Sequence, residues 1–239
     1  MSYGRGVPAQ TLELAGLTTR IVGPADARTT VVLLHGFGAP GDDLVALAQF
    51  LGPRVGNARF VFPAAPLELG GLYGDSRAWW LLDLAKLEME LRGGAIRDRR
   101  GEIPEGLAEA REQLTQLLDE LQARLSIADE ALVLGGFSQG AMLSLDVALH
   151  RGKPVAGLVL MSGTLIAEEA WAPRFAQVKD VPIVMSHGKH DMLLPYSIAE
   201  VLRDRLAAAG AKVDFHPFLG GHEIPAPVLA AIGDWLKAR

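Results

Sequence analysis

The 239-residue chain has no cysteine. That excludes disulfides, thiolate metal centres and a cysteine nucleophile. It also lacks an excess of basic residues, with 23 Lys and Arg against 28 Asp and Glu and a net charge of −5. A general nucleic-acid binder needs a basic face that displaces counterions from phosphates, so no nucleic-acid partner is expected. No apolar run reaches the roughly 18 residues of a membrane span. The longest greasy stretch, near residues 131–149, is interrupted by Gly135, Gly136, Ser138, Gln139 and Gly140. The opening MSYGRGVPAQ holds no apolar signal-peptide core. With the missing cysteines, this sets the expectation of a cytoplasmic protein. Repeats, linkers and low-complexity segments are absent as well, so one domain over 1–239 is expected.

What is present is an alternation of short apolar runs and helical patterns. The runs Val31–Leu34, Arg59–Phe62, Ala131–Gly135, Val155–Met161, Pro182–Met185 and Val213–Phe218 each stop at glycine, proline or a polar turn. Several lack a period of two, which suits strands covered on both faces of a parallel sheet. Leu12–Leu14 and Thr18–Val22 read as an N-terminal hairpin. Helical spacing is clear over 104–126, 139–151 and 195–209, and again from Ile224 to Leu236. The alternation predicts an α/β fold, a mostly parallel central sheet with helices on both faces. Residues of about 63–103 break the rhythm. They hold one short helical pattern, Leu84-Leu87-Leu91, and two of the four tryptophans, and they read as a long functional loop insertion.

The strongest local signal is Gly136-Phe137-Ser138-Gln139-Gly140 between a predicted strand and a predicted helix. A chance G-x-S-x-G match is expected about 0.1 times in such a chain, so the setting matters more than the motif. A serine on a tight strand-to-helix turn needs small neighbours on both sides, and Gly136 and Gly140 supply them. The helix N-terminus behind it favours an oxyanion.

A serine hydroxyl needs a base to take its proton. In an open α/β sheet the partners follow later strands, in the order serine, acid, histidine. His222, in Gly220-Gly221-His222-Glu223 after the last strand, is the best-placed base. His150 sits at the far end of a helix and His216 inside a strand. Asp191 follows a strand and is the acid that orients His222. Asp180 precedes that strand, and Asp214 lies at the start of the last one. The backbone N–H groups of Gln139 and of Phe37, in His35-Gly36-Phe37-Gly38, are the expected oxyanion donors. His35 reads as a structural hydrogen bonder. His187, His190 and Asp191 have no helix to gather them on one face, so no metal is expected.

Taken together, Leu33-Leu34-His35-Gly36-Phe37-Gly38, Phe62-Pro63-Ala64-Ala65-Pro66, Ser76-Arg77-Ala78-Trp79-Trp80, Gly136-Phe137-Ser138-Gln139-Gly140-Ala141-Met142, His187-Gly188-Lys189-His190-Asp191 and Gly220-Gly221-His222 resemble the phospholipase/carboxylesterase family of α/β-hydrolases, which includes the acyl-protein thioesterases. The resemblance runs from about residue 30 to the C-terminus. It implies Ser138, Asp191 and His222 as a catalytic triad, Phe37 and Gln139 as oxyanion donors, and no cofactor. One departure follows the tryptophans. The family often has a tight aromatic-Asp there, whereas Trp80-Leu81-Leu82-Asp83 leads into a longer charged insertion.

The expected reaction is hydrolysis of a small-molecule ester or thioester with an apolar acyl group. A peptidase or lactone hydrolase on the same scaffold, and a non-catalytic binding protein that keeps the fold, are the other readings. Leu72, Trp79, Trp80 and Leu81 either line an apolar acyl pocket or pin the insertion to the body; both readings stay open here. Arg97, Arg99 and Arg100, alternating with Asp98 and Glu102, read as a solvated loop rather than an anion site. Met142 and Met161 read as core.

Overall fold

The computed structural model describes residues 9–70, 74–83, 89, 92 and 98–239. Leu72, Arg97 and the Leu84-Leu87-Leu91 pattern lie outside the described residues. Eight strands form one sheet: β1 (Ala9–Leu14), β2 (Leu17–Val22), β3 (Thr29–Leu34), β4 (Ala58–Pro63), β7 (Leu132–Phe137), β8 (Gly157–Met161), β9 (Pro182–Gly188) and β10 (Lys212–Phe218). Their spatial order is β1-β2-β4-β3-β7-β8-β9-β10. β1 and β2 are antiparallel to their neighbours, and β4 to β10 run parallel. Two short strands, β5 (Leu67–Glu68) and β6 (Arg77–Ala78), pair separately inside the insertion.

The apolar runs lack alternation because both faces are covered. Val32 and Leu34 of β3, Leu132 and Leu134 of β7, and Ile183 and Met185 of β9 enter one core. Val31, Leu33, Val133 and Val184 enter the other. A strand sends successive side chains to opposite faces, so a strand with two cores must be apolar throughout. The first core is closed by α2 (Leu107–Leu125), α3 (Gln139–His150), the single turn α4 (Glu168–Trp171) and α5 (Tyr196–Ala208). The second is closed by α1 (Leu47–Val55) and α6 (Ala226–Lys237). The buried Asp146 carboxylate ties three of these helices together. Arg111 Nε and Trp171 Nε1 donate to it at 2.6 and 2.7 Å.

The N-terminal hairpin turns through Ala15 and Gly16, both at positive φ, the conformation whose twist matches two antiparallel strands. The helix expected from 104 begins at Leu107, because Gly106 adopts φ +87° against Trp80. α1 is absent from the helices that spacing predicts. It carries Gly52 and Pro53, both weak helix formers, and forms by packing Ala48 and Leu51 into the second core.

The carboxyl ends of β3, β7, β9 and β10 lie on one edge of the sheet, and every chemically notable loop leaves from there. One very tight junction is at Gly140. A Cβ on it would stand 2.1 Å from the Leu34 carbonyl oxygen and 2.7 Å from that of His35. Both obstacles are backbone, so no side chain can swing away. Gly140→Ala must push α3 off β3 and is expected to destabilise the fold by about 3 kcal/mol. Urea unfolding midpoints of the two proteins check this, and an unchanged midpoint contradicts the close approach.

Candidate active site

Ser138 stands between β7 and α3 at φ 54°, ψ −117°. Such a conformation is costly for a residue with a side chain and persists only where the surroundings enforce it. Here the Ser138 N–H donates to Met161 O of β8 at 2.9 Å, and its carbonyl starts α3 by accepting from Ala141 and Met142. Gly136 has the same role before the turn: its Cβ would lie 2.4 Å from Leu34 O and 2.7 Å from Gly140 C. The Ser138 hydroxyl makes no capping bond to α3.

His222 and Asp191 come from neighbouring strand ends. The loops after β9 and β10 touch so closely that a Cβ on Gly188 would fall 2.1 Å from Gly221 O. The Lys189 N–H donates to Phe218 O and the His190 N–H to Gly220 O, both at 2.9 Å. This brings His222 Nδ1 to 2.6 Å from Asp191 Oδ2. The other carboxylate oxygen accepts the Leu193 and Leu194 N–H groups at 2.9 and 2.8 Å. Burial works to raise the Asp191 pKa. The hydrogen bond and charge of His222, with the Leu194 N–H, outweigh it and hold the carboxyl below its usual range. An ionised carboxylate can only accept, so this bond needs the hydrogen on His222 Nδ1.

Ser138, His222, Phe37 and Gln139 all line one cavity of about 510 Å³, within the range typical of small-molecule sites. The Phe137 ring packs 4.7 Å from the His222 ring. Most of the remaining wall is apolar and includes Trp80, Leu81, Met142, Ile166, Leu193 and Leu194. Of the insertion residues expected at the pocket, Trp80 and Leu81 are in the wall. Trp79 is not. It is 2% exposed and buried behind the wall, where it pins the insertion to the body. Its indole Nε1–H donates to His35 O.

Other wall residues escaped the sequence reading. Met142 packs in the core, as its place on the buried α3 suggests, and also reaches the cavity. Arg99 and Glu102, expected in solvent, also line it, with Arg99 Nε 3.7 Å from Glu102 Oε2 and the Arg99 side chain only 18% exposed. Two backbone bonds place this segment against the α4 turn: Ala167 N to Glu102 O at 2.9 Å and Glu168 N to Arg100 O at 2.8 Å. No local pattern encodes such a pairing. Arg100 and Asp98 keep the solvated pairing that the charge pattern predicts.

His187 is buried, with Nε2 donating to Leu194 O at 2.7 Å, whereas His190 is exposed. His187 Nε2 also lies 3.4 Å from Asp191 Oδ2, but with His190 in solvent the two imidazoles do not gather around that carboxylate. Asp214 pairs with His216 on β10, and Asp180 turns the chain before β9.

His35 is buried between two backbone partners. Its Nε2 accepts the Ala65 N–H at 3.0 Å, so its proton sits on Nδ1, which faces Gly36 O at 2.8 Å. Burial lowers the pKa of both His35 and His187. Above pH of about 6.5 both rings are neutral in folded and unfolded chains alike. Below it the unfolded chain takes up protons that the folded one refuses, so stability falls as pH falls. The expected slope approaches about 1.4 kcal/mol per pH unit for each ring. Asp191 acts lower on the scale: its stabilisation is lost only as pH falls from the unfolded carboxylate value through its depressed folded one. Urea midpoints measured from pH 8 to 5 check this, and a flat profile would contradict buried neutral imidazoles.

The family model of the Phospholipase/Carboxylesterase family matches residues 18–239. Acyl-protein thioesterase 1 of Neurospora crassa is 29% identical over 225 residues, covering 90% of this chain and 89% of that protein. Carboxylesterase SOBER1 of Arabidopsis thaliana is 27% identical over 219 residues, covering 89% and 91%. The crystal structure of esterase PE8 superposes with a TM-score of 0.78 at 29% identity, covering 93% of this chain and 98% of that one. Among the described residues no helix is long and apolar enough to cross a membrane. With its sheet order and the match over nearly the whole chain, this protein belongs to the phospholipase/carboxylesterase family of α/β-hydrolases and is a hydrolase.

Proposed function

We propose that the protein is a serine esterase that cleaves carboxylic esters or thioesters of small to medium apolar acyl groups through an acyl-enzyme on Ser138. The observation that carries this reading is the 2.6 Å Asp191–His222 bond on the wall of the cavity that also holds Ser138.

In the first half-reaction His222 Nε2 takes the Ser138 proton as Oγ attacks the carbonyl carbon. The carbonyl oxygen becomes an oxyanion facing the Phe37 and Gln139 N–H groups and the N-terminus of α3. The tetrahedral adduct collapses, the bond to the alcohol or thiol breaks, and His222 returns the proton to the leaving group. In the second half a water loses its proton to His222, attacks the acyl carbon and releases the acid, and Ser138 recovers its hydrogen. Asp191 stays ionised and balances the imidazolium. No cofactor enters either half.

The apolar wall supports an apolar acyl group. Each methylene buried there is worth about 0.8 kcal/mol, so kcat/KM is expected to rise about fourfold per carbon until the cavity fills. A series of p-nitrophenyl esters from two to sixteen acyl carbons tests the reading. A rise followed by a fall supports it, and the turning point sizes the pocket. No turnover across the whole series contradicts it.

A further inference from the structure

Two of the elements named above lie about 100 residues apart in sequence: the loop that carries the Phe37 N–H and the turn that carries the Gln139 N–H. Phe37 follows β3 and Gln139 begins α3. Neither element alone determines how far apart two N–H donors would stand. The segment from Ser76 to Trp80 touches both.

On the Phe37 side it grips the loop before and after that residue. The Trp79 indole N–H donates to His35 O at 3.0 Å. The Gly38 N–H donates to Arg77 O at 2.9 Å, and the Arg77 N–H to Ala39 O at 3.0 Å. Between these grips the His35 Nδ1–H donates to Gly36 O at 2.8 Å. In a trans peptide the carbonyl and the next N–H point in opposite directions, so fixing Gly36 C=O fixes the aim of Phe37 N–H. On the other side the Gln139 side chain closes a two-point clamp. Its Oε1 accepts the Trp79 N–H at 2.9 Å, and its Nε2–H donates to Trp80 O at 2.8 Å. Trp79 and Gln139 are each only 2% exposed, so water does not compete for these bonds.

We infer that the Ser76–Trp80 segment is a strap that sets the spacing and aim of the two oxyanion N–H groups, with Trp79 and the Gln139 side chain as its positioning residues. This rests on the serine-esterase reading, in which those two N–H groups receive the oxyanion. Geometry of this kind matters because donors act on the transition state, and a displacement on the order of 1 Å can cost a hundredfold in rate.

Trp79→Phe removes the indole N–H and keeps a ring in its place. Gln139→Met removes both side-chain bonds and keeps the backbone N–H. Sites are counted by stoichiometric labelling with a fluorophosphonate, so misfolded protein drops out of the rate. Each variant is expected to lower kcat per labelled site about tenfold or more with little change in KM. Affinity for a trifluoromethyl ketone, which mimics the tetrahedral adduct, is expected to fall by the same factor as kcat/KM. If kcat per labelled site and ketone affinity stay unchanged while only the melting temperature falls, the strap serves folding alone and the inference is overturned. Gln139→Met makes the test from the other end should Trp79→Phe not fold. A wild type that is not labelled on Ser138 contradicts the esterase reading itself, a different result from an unaltered rate in a labelled variant.

Discussion

Ser138→Ala is expected to lower kcat on a p-nitrophenyl ester by about a millionfold while leaving the fold intact. Both residues carry a Cβ, so alanine meets the same strain at φ 54° and the same tight turn between Gly136 and Gly140. The Ser138 hydroxyl holds no capping bond to α3, so its loss removes no helix cap. What disappears is the atom that forms the acyl-enzyme in the proposed mechanism. The proposed oxyanion donors and the cavity remain, and the expected residual rate is about 10³ to 10⁴ over water. Steady-state kinetics with a matching melting curve check this. A variant that keeps a tenth of the activity removes Ser138 from the chemistry.

Asp191→Asn is expected to lower kcat by about 10⁴. The reason lies in the carboxylate's two faces. Oδ1 accepts two backbone N–H groups, from Leu193 and Leu194. An asparagine must keep its carbonyl oxygen there, because its NH₂ would meet donors. Its NH₂ then faces His222 Nδ1, which is forced to accept. The His222 proton moves to Nε2, and the ring can no longer take a proton from Ser138. Nitrogen NMR of the imidazole reads the tautomer directly. A loss below about tenfold, or an Nδ1 that stays protonated, contradicts the role given to Asp191.

Much of the architecture was legible because the relevant signals are local. A strand with two cores must be apolar along its length, so β3, β7, β8 and β9 stand out without any pairing information. The serine turn is legible because its glycines are demanded by backbone contacts one strand away. Asp191 and His222 are legible as residues that follow strands whose order in the chain is known. Their bond is not, since it depends on β9 and β10 being neighbours in register. The strap and the cavity wall are long-range in the same sense. From sequence Trp79 fits either the pocket wall or a pin for the insertion, and only the long-range bond from its indole N–H to His35 O makes it the pin. Arg99 and Glu102 read as solvent-facing from alternating charge, but the bonds from Ala167 and Glu168 place that segment at the cavity. α1 is invisible for the opposite reason, since local propensity argues against a helix that tertiary packing stabilises.

In the proposed mechanism the reaction passes through an ester of Ser138. Rapid mixing with a p-nitrophenyl ester, acid quenching and intact-mass measurement test it most directly. One added acyl mass per chain is expected, on the peptide fragment that contains Ser138. Turnover with no adduct, or an adduct on another residue, contradicts it.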